Sequence, residues 1–205
     1  NFHFLMINSK ILEILIEKDI AFAIIDGKYD TDSYNEEGRC FSPDLDIVLQ
    51  SASEGVIEDI RNNKEFESLE QFSFKEKETN TRVDLYLNSL NVGYYHFLNI
   101  EDSSFVNQRV SDEEYIIYQL LDPLLKFSKY LPRHKYRLQK YFSEGIPDNI
   151  VCKLEQIIGC NLTNILLNQI LKGNFDVSQL FIRRCKINIL FINGNFVKMI
   201  KRLYK

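Results

Sequence analysis

The chain has 205 residues, 45% of them hydrophobic and 26% charged, with four Pro and eight Gly; it is too apolar for a disordered chain, too poor in breakers for a loop-rich one, and of a length for one domain, or one with a substantial appendage. No stretch approaches the roughly 20 apolar residues of a membrane span, and the start lacks a basic segment followed by an apolar one, so a cytoplasmic protein is expected, with the absent signal weighing less because the first residue is Asn rather than Met. The net charge of −4 conceals a division: residues 1–102 hold 9 Lys and Arg against 21 Asp and Glu, and residues 103–205 hold 16 against 8, which reads first as oppositely charged halves that dock on one another.

In chain order, Ile11, Leu12, Ile14, Leu15 and Ile16 follow helical spacing after a capping Ser9. The apolar run Ile20 to Ile25 ends at Asp26-Gly27 and suits a buried strand. A polar segment from Lys28 to Pro43 is long enough to be kept only as a binding or disordered loop. Leu45 to Gln50 is a second strand, and Ser51 and Ser53 are candidate caps for a helix through Glu54 to Asn62. Phe66 to Glu78 alternates loosely, and Thr79-Asn80 turns it into Arg82 to Leu87 as a hairpin. After about Leu90 helical spacing dominates. A helix opens at Ser111 and runs to Phe127, with Pro123 expected to kink it or begin another. Further helices are predicted at about Tyr136 to Phe142, Asp148 to Ile158, Leu162 to Leu171, Val177 to Arg184 and Phe196 to Tyr204. The expected fold class is α/β (α+β): a small mixed β-sheet domain over residues 1–100, followed by a helical bundle domain over 101–205.

The chemistry gathers around acids. Asp44 and Asp46 alternate along one strand, so the pleat points both carboxylates to one face and Leu45 and Ile47 to the other. Such a pair suits a hard divalent cation, which takes carboxylate oxygens and keeps waters or phosphate oxygens; on an edge strand it merely discourages aggregation. Asp84, inside RVDLYL, completes a three-acid cluster if its strand pairs near LDIVLQ, and such a trio repels itself without cations. Gly27 permits a tight turn and close approach of backbone N–H groups to a phosphate, Lys28 offers a point charge, and Arg39 and Ser42 stand just before the acid pair.

These pieces, IIDGK, then SPDLDIVL, then RVDLYL, resemble the nucleotidyltransferase superfamily related to DNA polymerase beta. Its signature is a strand ending in an apolar residue, Gly and then Gly or Ser, followed by two acids one residue apart and a third acid on a later strand. The likeness covers roughly residues 10 to 88. Within the superfamily the chain looks most like the nucleotidyltransferase-like proteins of bacterial surface-polysaccharide clusters, some of which carry a further domain downstream. The resemblance implies Asp44, Asp46 and Asp84 as catalytic metal ligands for two Mg²⁺ ions. It also implies Gly27, Lys28, Arg39 and Ser42 as nucleotide-binding residues, and transfer of a nucleoside monophosphate from a nucleoside triphosphate to a small hydroxylated acceptor such as a sugar. Lys28 stands where the family has Ser or Gly, the spacer from Gly27 to Asp44 is long, and Pro43 precedes the first acid where Ser is common. The alternative is therefore a non-catalytic nucleotide-binding or scaffolding module of the same fold.

Other residues weigh less. Cys40, Cys152, Cys160 and Cys185 have no metal-site spacing and are expected to be small buried hydrophobes. Tyr115, Tyr118, Tyr130, Tyr136 and Tyr141 interleave with basic residues, a composition that also suits single-stranded nucleic acid. At helical spacing they are read as core, and nucleic acid is not expected as a partner. His134 lacks the spacing to an upstream Arg that a small helical ribonuclease would need. No phosphate-binding kinase loop is present, and three dispersed His give no basis for a nucleophilic triad.

Overall fold

The computed structural model describes residues 9–26, 44–50, 54–93 and 95–192. By their contacts these residues fall into two units, one from 1–89 with 100–111, the other from 90–99 with 112–205. The predicted helix at Phe196 to Tyr204 and the candidate caps Ser51 and Ser53 lie outside the described residues.

In the first unit, α1 (Lys10–Glu17) buries Ile11, Leu12, Ile14 and Leu15, the stripe that its spacing predicts. It closes in a Schellman arrangement: Asp19 adopts φ +53°, and the amides of Asp19 and Ile20 return to the carbonyls of Ile16 and Leu15. Ser9 makes no side-chain cap bond; the buried carboxylate of Glu76 accepts from the Lys10 amide instead. The strands are β1 (Phe22–Asp26), β2 (Asp44–Leu49), β3 (Phe66–Glu70), β4 (Ser73–Glu76) and β5 (Arg82–Leu87), with α2 (Glu54–Asn62) between β2 and β3. They form a mixed sheet in the order β1-β2-β5-β4-β3, in which only β2 and β5 run parallel. The fold class is thus the mixed α/β one that the element order predicts.

Alternation splits the sheet into two faces. Phe22, Leu45, Ile47, Leu49, Phe74, Val83 and Leu85 form one core with the apolar residues of α1 and α2. The other face carries the chemistry. A short helix, α3 (Asp102–Val106), packs on β1, and the segment after it pairs there too: Ile24 N donates to Gln108 O, and Val110 N to Ile24 O.

The second unit holds a two-stranded sheet, β6 (Ser89–Val92) with β7 (Tyr95–Asn99), which the sequence reading does not anticipate. Its helices are α4 (Asp112–Phe127), α5 (Pro132–Tyr141), α6 (Asp148–Ile158), α7 (Cys160–Leu171) and α8 (Gln179–Ile192). Residues Glu114 to Leu125 of α4 are all buried, which makes it the central helix. Of the two expected outcomes at Pro123, a second helix does not begin there: α4 runs through it as one helix. Proline removes one intrahelical donor, and burial along the whole helix holds the remainder. The helix ends where Ser128 turns to φ +57°, and the Tyr130 hydroxyl donates to the Leu120 carbonyl at 2.7 Å. The cysteine expectation needs correction: Cys185 is buried, its thiol pushed up by burial to about 12, but Cys152 and Cys160 are exposed.

Candidate functional site

The site is built by register. On the parallel pair β2/β5, Asp46 lies directly beside Asp84 and Asp44 beside Arg82. Registered partners on neighbouring strands share a face. Asp44, Asp46, Arg82, Asp84 and Tyr86 therefore stand on one side of the sheet, opposite the core residues Leu45, Ile47, Val83 and Leu85. On β4, Ser73 pairs with Asp84 and Lys75 with Arg82, which extends the polar face by one strand.

Two carboxylates on adjacent strands repel, and the local partners answer that repulsion. Asp46 is only 7% exposed, and its Oδ1 accepts from the Tyr86 hydroxyl at 3.3 Å. The Asp84 side chain is 14% exposed and accepts through Oδ1 from the Ser73 hydroxyl and from Arg82 Nε at 3.0 Å. Burial works against the charged Arg82 guanidinium. The hydrogen bond and charge of Asp84, with the charges of Asp44 and Glu70, outweigh it and raise the Arg82 pKa above its ordinary value. Arg82 is thus held by the acids on both sides of it. Among the described residues both bonds to Asp84 go to Oδ1, which leaves Oδ2 for a ligand.

At the neighbouring edge, a register shift between Ile24 and Asp26 sets the Asp26 backbone beside Asp46. β1 thus ends at Asp26 and β2 begins at Asp44 on the side of the sheet where the acids stand, and residues 27–43 form the segment that joins them. Gly27, Lys28, Arg39 and Ser42, named from the sequence as nucleotide contacts, lie on that segment and outside the described residues. Three residues that sequence reasoning passed over, Ser73, Arg82 and Tyr86, are the partners of the acids. Period-two alternation within RVDLYL marks Arg82 and Tyr86, since they flank Asp84 at two-residue spacing.

The donors suit a hard divalent cation in kind, being carboxylates on one face with an oxygen of Asp84 to spare. Among the described residues no group of three or more His, Cys, Asp and Glu side chains converges to hold a metal ion, so Asp44, Asp46 and Asp84 share a face without forming a ready-made three-carboxylate site. A cation bound on this face would therefore take most of its shell from ligand oxygens or water, with the carboxylates of Asp46 and Asp84, neighbours in register, nearest to one another. No helix among the described residues is long and apolar enough to cross a membrane. No family model, curated protein or solved structure matches the chain.

Proposed function

We propose that the sheet unit binds a nucleoside triphosphate with Mg²⁺ and transfers its nucleoside monophosphate to a small hydroxylated acceptor. The resemblance suggests a sugar of surface-polysaccharide metabolism. The observation that carries this reading is the register of Asp46 against Asp84, with Asp44 on the same face. Sequence positions 38 residues apart are thereby brought to neighbouring strands.

Asp44, Asp46 and Asp84 are the residues that would hold Mg²⁺, which when bound would supply positive charge against the phosphate oxygens. The chain's own residues do the rest. The acceptor hydroxyl attacks the α-phosphorus, the bond to pyrophosphate breaks, and the acceptor proton passes to Asp84 at Oδ2. Arg82 and Ser73 fix the Asp84 carboxylate through its other oxygen, and Tyr86 fixes Asp46. Gly27, Lys28, Arg39 and Ser42 are assigned to the phosphates on sequence grounds alone.

The test is pyrophosphate release from ATP, CTP, GTP and UTP with Mg²⁺ and a panel of sugars and sugar phosphates, repeated on Asp46→Asn. Asparagine still accepts from Tyr86, so the fold is retained while the negative charge is lost. Release should fall by on the order of 10³-fold. A second reading, a non-catalytic nucleotide-binding module, is favoured by one observation, the ion pair that Arg82 makes with Asp84. It predicts nucleotide binding with no pyrophosphate release, indifferent to Mg²⁺ and to Asp46→Asn.

A further inference from the structure

From Pro123 to Ser143 the chain carries six cations, Lys126, Lys129, Arg133, Lys135, Arg137 and Lys140, and no Asp or Glu. They fall on the last turn of α4, the link after it, and α5, and these two helices pack together. Among the described residues, Lys126, Lys129, Arg133, Lys135 and Lys140 have no carboxylate within ion-pair distance. In a chain of net charge −4, a stretch of unneutralised cations is a local field rather than a bulk property.

The aromatics of the same stretch divide. Tyr115, Tyr118 and Tyr130 are buried, as helical spacing predicts, but Phe127 is 40% exposed and Tyr136 39%. Every exposed large apolar side chain between residues 123 and 143 is aromatic; the exposed aliphatics of this unit are on α7 and α8, among them Leu171, Leu180 and Ile187. Arg133 precedes Tyr136 by three residues and Lys140 follows it by four, which sets both cations beside the ring on the helix surface. Lys126 Nζ stands 5.7 Å from the Phe127 ring centroid. His134, buried next to Arg133, reports the same field. Its pKa is lowered to about 3, by burial first and then by the charges of Arg133, Arg137 and Lys126. It therefore remains neutral and leaves the positive potential to its neighbours.

We propose that this α4–α5 surface binds single-stranded nucleic acid, with bases stacking on Tyr136 and Phe127 and phosphates meeting Lys126, Arg133 and Lys140. Exposed rings flanked by cations offer every base a stacking face and every phosphate a charge. A membrane surface is disfavoured because the stretch exposes no aliphatic side chain that would enter the lipid. The proposal goes beyond the acidic site and does not depend on it.

The experiment is fluorescence anisotropy of the full chain with labelled single-stranded RNA and DNA about 15 nucleotides long, between roughly 50 and 200 mM salt. Affinity should fall with salt with a logarithmic slope of about −2 for three phosphate contacts. Tyr136→Ala should weaken binding on the order of tenfold, and Lys126→Gln with Lys140→Gln should make the slope shallower by about 1.4. Arg183→Ala with Arg184→Ala, on α8, should bind as the parent does. Each of these side chains except the half-exposed Arg133, which is left unchanged, is exposed, and circular dichroism melting checks that the variants fold. A flat salt response, or parental affinity in both the tyrosine and the lysine variants, would overturn the proposal. So would binding to phosphatidylserine vesicles, lost in those variants, with no oligonucleotide binding.

Discussion

The charged face of the sheet and the basic surface of α4–α5 handle like charge in opposite ways. On the sheet, strand register sets Asp46 beside Asp84, and Tyr86, Ser73 and Arg82 hold the two carboxylates in place. On the helices, Lys126, Lys129, Arg133, Lys135 and Lys140 stand at exposed or half-exposed positions with no ion-paired carboxylate among the described residues. Two unit charges about 4 Å apart interact by about 1 kcal/mol in bulk water but by about 4 kcal/mol where the effective dielectric is near 20. The sheet therefore has to compensate its charges and becomes a preorganised site, whereas the helical surface leaves the task to solvent. The proposed transfer chemistry calls for the fixed geometry of the first, and the proposed binding for the tolerance of the second.

The contrast can be broken from several directions. Its largest predicted effect is on activity, with the loss in Asp46→Asn far exceeding that of any single lysine of the helical surface. Next come the cores beneath the two regions. Ile47→Ala, at a fully buried position on the core side of the acid strand itself, should cost about 2 to 5 kcal/mol in urea unfolding, and Leu120→Ala on α4 a similar amount. If the two units unfold separately, each variant will move only its own transition.

Acid is the third lever, and it acts on the helical unit through His134. The native pKa of about 3 lies below the unfolded value near 6.5, so the unfolded chain binds more protons between these limits. The stability that neutral His134 contributes is complete above about pH 6.5 and is lost as the pH falls toward 3. Between those values His134→Gln should flatten the slope of stability against pH by up to about 1.4 kcal/mol per unit. Acid titration followed by tryptophan-independent far-UV circular dichroism reads this directly.

Smaller still is the effect of Glu76→Ala, which leaves the Lys10 amide without its acceptor and the Thr79 hydroxyl with Thr81 Oγ1 alone. Thermal melting should show a loss of about 1 to 2 kcal/mol, the scale of a missing helix cap. At the bottom is Lys18→Ala. It breaks an exposed ion pair with Asp59 and should change stability by less than about 1 kcal/mol.

Much of the fold could be read from local pattern. The helix at Lys10–Glu17, the strand at Asp44–Leu49 and the hairpin closed at Asn80, which adopts φ +59°, all rest on spacing or on a turn residue that tolerates the left-handed region. The break between β3 and β4 was harder, because Gln71-Phe72 lacks the Gly, Pro or Asn that usually announces a turn. The hairpin β6–β7 was missed for a related reason: its strands are four and five residues long and are sealed by packing on α4 and α8 rather than by any strong local pattern. Pro123 does not end α4, because tertiary burial outweighs one lost backbone bond. At the site, the shared face of Asp44 and Asp46 follows from the pleat. The register of Asp46 against Asp84 does not, because parallel pairing across an intervening helix and two strands is fixed by the core on the opposite face.

Electron paramagnetic resonance of Mn²⁺, used in place of Mg²⁺ and titrated in the presence of nucleotide, tests the central claim most directly. The free-ion signal left by nucleotide alone should fall further on adding the parent chain or Asp59→Asn on α2, and should stay at the nucleotide-only level with Asp46→Asn or Asp84→Asn. Equal uptake of Mn²⁺ by all four proteins would contradict the account.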